Sequence, residues 1–205
     1  MPSRCFIISG GEFCPIEGIA PGDFVIACDR GYEYARRCGV TPDLVVGDFD
    51  SYQGGLESGI PVERYVSEKD DTDTMIAVRY AVDHHFTELV LCCALGARLD
   101  HTLANIQAAV FAAAHGLRAS LYDQRTVLCA MTPGLVRVPR REGWSLSLFA
   151  VTDECTGVSI RGAKYPLQNA RLTNSFPIGV SNEWRAEEAE IELGSGMLLI
   201  VMSRL

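Results

Sequence analysis

No apolar run in this chain approaches the roughly 20 residues needed to cross a bilayer, which argues against a membrane-spanning helix. No CxxC pair occurs among its eight cysteines, Cys5, Cys14, Cys28, Cys38, Cys92, Cys93, Cys129 and Cys155, and no paired Cys or His stands at zinc-ligand spacing. Most of them lie inside apolar runs such as Val90-Leu91-Cys92-Cys93-Ala94, the pattern of buried free thiols in a reducing cytoplasm. A basic stripe is also missing. The net charge is -8, which excludes a general nucleic-acid binder and means that an anionic nucleotide would need local positive charge or a metal. There is neither a Walker loop nor a complete GxGxxG. Internal repeats and low-complexity stretches are absent. The short apolar run at Met1-Pro2-Ser3-Arg4-Cys5-Phe6-Ile7-Ile8-Ser9 ends at Gly10-Gly11 and reads as a first strand, not as a secretory signal.

What is present is an ordinary globular composition. The apolar share of 48% supports a packed core, and the charged share of 21% is too small for a disordered chain. The 205 residues suffice for one large domain or two small ones. Residues 4–9, 23–28, 44–46, 62–66, 88–94 and 117–122 read as strands. Residues 32–38, 71–85 and 100–115 read as helices, the first and last stopping at Gly39 and Gly116. This alternation predicts an α/β domain with a mainly parallel sheet, Rossmann-like and doubly wound, over residues 1–124. Helical periodicity then disappears. Short alternating runs at 144–151, 157–161, 170–173, 178–181, 189–193 and 197–202 predict an all-β sandwich over residues 125–205.

Chemistry concentrates in a few loops. In Val45-Val46-Gly47-Asp48-Phe49-Asp50-Ser51, two carboxylates follow a predicted strand at the sheet edge where open α/β sheets bind ligands. They are candidate ligands for a hard divalent ion such as magnesium, or else turn-forming aspartates. Glu68-Lys69-Asp70-Asp71-Thr72-Asp73 precedes a helix. One carboxylate there is expected to cap it, and the rest exceed what a cap requires and would repel without a cation. Lys69 is placed to meet a phosphate or to balance that charge. Leu95-Gly96-Ala97-Arg98-Leu99-Asp100-His101 offers a guanidinium fork, helix amides for an anion, and Asp100 as the expected N-cap. The turns Ser9-Gly10-Gly11 and Asp29-Arg30-Gly31 could bring backbone amides near a nucleotide. In Gly179-Val180-Ser181-Asn182-Glu183-Trp184, the tryptophan could stack on a cationic ring or could fill the core.

Taken together, these segments resemble the thiamine pyrophosphokinase family. The resemblance rests on Asp29-Arg30-Gly31, Pro42-Asp43-Leu44 leading into Gly47-Asp48-Phe49-Asp50-Ser51, Lys69-Asp70-Asp71-Thr72-Asp73, Leu95 to His101, Lys164-Tyr165-Pro166-Leu167 and Ser181-Asn182-Glu183, in order along nearly the whole chain. It implies a homodimer whose active sites are shared between subunits, with ATP and thiamine as substrates and AMP as a product. It also implies Asp48, Asp50, Asp70 and Asp73 as magnesium-centred carboxylates. Arg98 and Asp100 become phosphate and substrate contacts, with Asp100 grouped among the catalytic residues. Gly10, Gly11, Asp29, Arg30, Gly31 and Lys69 fall on the nucleotide side, and Ser181, Asn182 and Trp184 on the thiamine side. The chain departs from the family pattern at Arg30 and Ala97, where glycines are usual. Two other readings remain open here: a haloacid-dehalogenase-type phosphatase with Asp48 as nucleophile, and a non-catalytic nucleotide or thiamine sensor.

Overall fold

The computed structural model describes residues 3–47, 59–64 and 71–205, with the backbone alone for Glu63 and Arg64. They form two compact units, Met1–Gln124 and Arg125–Leu205.

In the first unit, strands β1 (Arg4–Ile8), β2 (Phe24–Cys28), β3 (Leu44–Gly47), β4 (Val62–Arg64), β5 (Glu88–Cys92) and β6 (Arg118–Tyr122) pair in parallel in the order β6-β5-β1-β2-β3-β4. Strand β1 has no polar face: Cys5, Phe6, Ile7 and Ile8 are all buried, as expected of a parallel strand covered on both sides. Each fully buried Ile or Leu here stabilises the fold by about 1.5–3 kcal/mol relative to exposure. Helix α1 (Gly31–Arg37) lays Tyr34 and Ala35 on Phe6, Ile8 and Val25. Cys28 has the opposite parity in β2, and its thiol donates 3.5 Å to the carbonyl of Asp73, the first residue of α2 (Asp73–Asp83). Helix α3 (Leu99–Ala114) buries Ala108, Ala109, Ala112 and Ala113, whose small side chains allow close packing. Gly39 and Gly116, at φ 69° and 90°, end α1 and α3 as expected. In each case the following amide reaches back to the helix, from Val40 to the Ala35 carbonyl and from Leu117 to that of Ala112.

The second unit is all β. Strands β7 (Thr126–Met131), β9 (Trp144–Ala150), β12 (Gly179–Asn182) and β14 (Leu198–Arg204) form an antiparallel sheet in the order β12-β9-β14-β7. Strands β8 (Gly134–Pro139), β10 (Glu154–Arg161), β11 (Leu167–Thr173) and β13 (Glu188–Leu193) form a second, in the order β11-β10-β13-β8. Leu146, Leu148, Leu198 and Ile200 from the first sheet share one core with Val158, Ile160, Leu172 and Ile191 from the second. Strands β7 and β8 were not expected from the sequence. The burial of β8 does not alternate cleanly, and Pro139 at its end is tolerated because β8 is an edge strand.

Candidate active-site segments

The strand order makes the first unit's ligand edge explicit. From β1 the chain moves outward through β2, β3 and β4, then returns to place β5 on the other side of β1. That reversal is a topological switch point, and the loops leaving β1 and β5 flank its crevice. They are stitched together by backbone bonds: the amides of Ser9, Gly11 and Glu12 donate to the carbonyls of Cys92, Cys93 and Leu95 at 3.0, 2.8 and 3.1 Å. The Gly11 amide is therefore committed to the protein, contrary to its expected approach to a phosphate. Glycine is needed there because a Cβ would lie 2.6 Å from the Cys93 carbonyl oxygen. Gly31 also has a structural requirement for glycine. A Cβ would meet the Ile8 carbonyl oxygen at 1.9 Å, so Gly31 brings α1 against β1. Gly10 remains exposed, and a Cβ on it would touch the Arg30 side chain.

Asp48, Asp50, Lys69 and Asp70 lie outside the described residues, but their anchors do not. Strand β3 ends at Gly47, immediately before Asp48. Asp29, held at φ 46° after β2, packs its carboxylate against Gly47, where a Cβ would lie 2.0 Å from Asp29 Oδ1. Helix α2 starts beside the end of β2, through the Cys28–Asp73 contact. It is also tied to the end of β1 by a buried 2.9 Å hydrogen bond between the Ser9 and Thr74 hydroxyls. The expected carboxylate cap is replaced by Thr72, whose hydroxyl accepts from the Met75 amide at 3.2 Å. Asp71 instead pairs with Arg79 at 2.6 Å. Among the described residues no three His, Cys, Asp or Glu side chains gather as a metal site.

In the β5–α3 loop, Arg98 and not Asp100 is the N-cap residue, and it makes no side-chain cap. Its guanidinium forks onto the Asp100 carboxylate, with Nε 3.1 Å from Oδ1. That hydrogen bond holds Asp100 below the usual carboxylate range and Arg98 above its own. The pair is exposed, so an incoming phosphate can compete for the guanidinium at little desolvation cost. Ala97, where the family usually has glycine, sits at φ 56°. The glycine preference follows from that left-handed backbone, which costs an alanine roughly 1 kcal/mol. The preceding Gly96, at φ 76°, is covered by Glu12, a carboxylate the sequence did not bring forward.

In the second unit, Trp184 is only 7% exposed. Its ring belongs to the sandwich core and its indole N–H donates 3.0 Å to the Val138 carbonyl, so stacking on a substrate is replaced by packing. Asn182 is also buried. Its Oδ1 accepts from the Tyr165 and Glu183 amides, each at 3.0 Å, and its Nδ2 donates 2.8 Å to the Tyr165 carbonyl. Asn182 thus clamps the Tyr165 backbone instead of offering itself to a ligand. The clamp holds Tyr165 with 59% of its surface exposed, beside Lys164, whose 2.7 Å bond to Glu183 raises the lysine and lowers the carboxylate. Ser181 is exposed at φ 60°, with its amide bonded to the Ser147 hydroxyl. Tyr165 stood in the Lys164-Tyr165-Pro166-Leu167 motif, but only its exposure distinguishes it from a core aromatic.

Comparison with known proteins matches both units. Residues 19–121 match the thiamin pyrophosphokinase catalytic domain, and residues 135–198 match the thiamin pyrophosphokinase vitamin B1 binding domain. The thiamine pyrophosphokinase of Bacillus subtilis (strain 168) is 26% identical over 184 residues, covering 87% of this chain and 86% of that protein. A crystal structure of thiamine pyrophosphokinase from Bacillus subtilis has the same fold, with a TM-score of 0.87 at 22% identity over 98% of this chain and 99% of that one. The structure of a thiamin pyrophosphokinase family protein from Enterococcus faecalis gives a TM-score of 0.83 at 27% identity, over 99% and 100% of the two chains.

Proposed function

Because the chain belongs to the thiamin pyrophosphokinase family, we propose that it transfers the diphosphate group of ATP to the hydroxyl of thiamine, giving thiamine diphosphate and AMP. The observation that carries this reading is the match to both family domains, in order, in one chain. The first unit is then the ATP-binding catalytic domain, a doubly wound Rossmann-like sheet. The second is the thiamine-binding sandwich, in a cytoplasmic enzyme.

In the reaction, the thiamine hydroxyl oxygen attacks the β-phosphorus of ATP. The bond from that phosphorus to the α–β bridging oxygen breaks, AMP leaves with the oxygen, and the hydroxyl proton is lost. The groups available to hold magnesium, Asp48, Asp50, Asp70 and Asp73, are all hard oxygen donors, as that ion prefers. Asp73 opens α2 beside the end of β2, and β3 ends at Gly47 against Asp29, so the described anchors share one sheet edge and the donor chemistry suits the ion. Magnesium bound there would offset the phosphate charge in this acidic chain. Gly10, Arg30, Lys69 and Arg98 bind and orient the polyphosphate. Asp29 braces Gly47, the residue before Asp48. Asp100 holds the Arg98 fork until phosphate arrives. On the thiamine side, Tyr165 presents an exposed ring to the cationic substrate, which would share it with the Lys164 ammonium 5.4 Å from the ring centroid, Ser181 presents a hydroxyl, and Asn182 positions Tyr165.

The direct test is turnover with ATP, magnesium and thiamine, followed by phosphorus NMR. Thiamine diphosphate and AMP in equal amounts are expected. ADP with thiamine monophosphate would place the attack at the γ-phosphorus and refute the mapping, and inorganic phosphate alone would favour the phosphatase reading. We also propose a homodimer in which each site takes its phosphate-side residues from one subunit and its thiamine-side residues from the other. Mixing Asp50→Asn with Tyr165→Ala subunits, each weak alone, should then restore part of the activity. Exchange of subunits without recovery would place the whole site in one chain.

A further inference from the structure

Two cysteines meet in the apolar core beside the ends of β1 and β5. Cys14 follows the β1 loop and Cys93 follows β5, 79 positions apart in sequence, and their sulfurs lie 3.5 Å apart. The contact is reciprocal. The Cys14 amide donates to Cys93 Sγ at 3.4 Å, the Cys93 amide donates to Cys14 Sγ at 3.3 Å, and the Cys93 thiol reaches the Cys14 carbonyl at 3.5 Å. The two segments cannot drift apart easily. Gly11 and Glu12 are bonded to Cys93 and Leu95, and Gly11 is pressed against the Cys93 carbonyl. Cys93 also adopts φ 52°, a left-handed conformation that an L-residue holds only when its surroundings impose it. Packing alone does not ask for paired sulfurs with crossed amides, and the transfer chemistry uses neither thiol.

We propose that Cys14 and Cys93 form a site of oxidative modification, closing to a disulfide that locks the β1 loop to the β5–α3 loop. With hydrogen peroxide as oxidant, one thiol becomes a sulfenic acid and one water leaves. The second sulfur attacks it, the S–S bond forms, and a second water leaves. One peroxide and two thiols thus give one disulfide and two waters. Closure requires the sulfurs to approach by about 1.5 Å, to the usual bond length near 2.05 Å. The reaction is slow. Both side chains are buried, Cys14 at 2% and Cys93 at 0% exposure. The hydrogen bond with Cys93, and then burial, hold Cys14 well above the ordinary thiol range. For Cys93 the bond from Cys14 pulls downward, but Cys92 and burial push it up to about 12. The thiols stay protonated at neutral pH, so the site responds to sustained oxidant and not to traces.

The test uses the full reduced chain incubated with hydrogen peroxide, followed by intact mass measurement and a non-reducing digest. The expected result is a loss of about 2 Da, a peptide pair joined through Cys14 and Cys93, and a Tm several degrees higher, because the bond constrains a long loop. Dithiothreitol should reverse all three. Cys14→Ser and Cys93→Ser should each abolish the 2 Da loss. A wild-type chain that keeps both thiols, carries them to sulfinic acid, or links either to another cysteine would overturn the proposal. The effect on activity rests on the function proposed above: the disulfide should change the KM for ATP and leave that for thiamine unaltered. A chain without diphosphate transfer even when reduced would sink that function while the mass result still decided the disulfide. Identical ATP kinetics in the two forms would refute the coupling to the nucleotide loops.

Discussion

Gly31→Ala sets two effects of opposite sign against each other. Gly31 is the first residue of α1, and its φ is not in the left-handed region, so an ordinary glycine-to-alanine change would stabilise the chain by about 0.4–1 kcal/mol. Here the new Cβ would lie 1.9 Å from the Ile8 carbonyl oxygen and 2.7 Å from its carbonyl carbon, against about 3.4 Å for an ordinary contact. The two backbones would have to separate by about 1.5 Å. Neither neighbour is a flexible side chain, and the helix that must lift carries the fully buried Tyr32 and Ala35. Overpacking of this kind costs about 1–3 kcal/mol, and a backbone-on-backbone clash belongs at the upper end. The clash wins, and a net loss of about 2 kcal/mol should lower Tm by roughly 4–8 °C. Thermal unfolding followed by circular dichroism reads it. Gly39→Ala is the control: it sits at φ 69° with nothing near its would-be Cβ, so it should lose only about 1 kcal/mol for the left-handed backbone. A Gly31→Ala chain that melts at or above the wild-type temperature would refute the close-approach argument.

A chelator should abolish turnover and added magnesium should restore it; Asp73→Asn should lower turnover by orders of magnitude, with an unchanged melting curve separating chemistry from folding. Trp184→Ala should cost about 3–5 kcal/mol in denaturant melts by emptying the sandwich core, whereas Tyr165→Ala should keep its stability and raise the thiamine KM alone. Asp23 is held below its usual range chiefly by the hydrogen bond from Arg4, so its contribution is complete above the unfolded value near 3.8 and fades as pH falls through the lower folded value. Acid unfolding of Asp23→Asn should therefore show a shallower loss of stability below about pH 4 than the wild type.

The α/β alternation was legible because buried parallel strands are short apolar runs and the helices end at glycines. Phe24–Cys28 and Glu88–Cys92 show the first, and Gly39 and Gly116 the second. The β unit was legible only where burial alternates. The run from Gly157 gave just the end of β10, because the strand's pairing with β11 shifts register between Cys155 and Val158, beside Gly157 at φ 67°. The site was legible by chemistry and not by role. Aspartates near a helix start look like caps until a threonine is seen to do the capping. A tryptophan beside a polar turn looks like a ligand platform until its N–H is found on Val138. Exposure, which separates Tyr165 from Trp184, is a property of the fold that local sequence does not carry.

The position of β1 also bears on how the chain is made. Strand β1 is flanked by β2 on one side and by β5 on the other, and β5 is synthesised some 80 residues after β1. During that interval one edge of an all-apolar strand has no partner. The bonded pair of loops after β1 and β5 cannot exist until that gap is filled. Contacts this distant slow folding and leave nascent chains open to aggregation. The nascent first unit should therefore resist proteolysis only after β5 and β6 have emerged, in a single late step and not strand by strand.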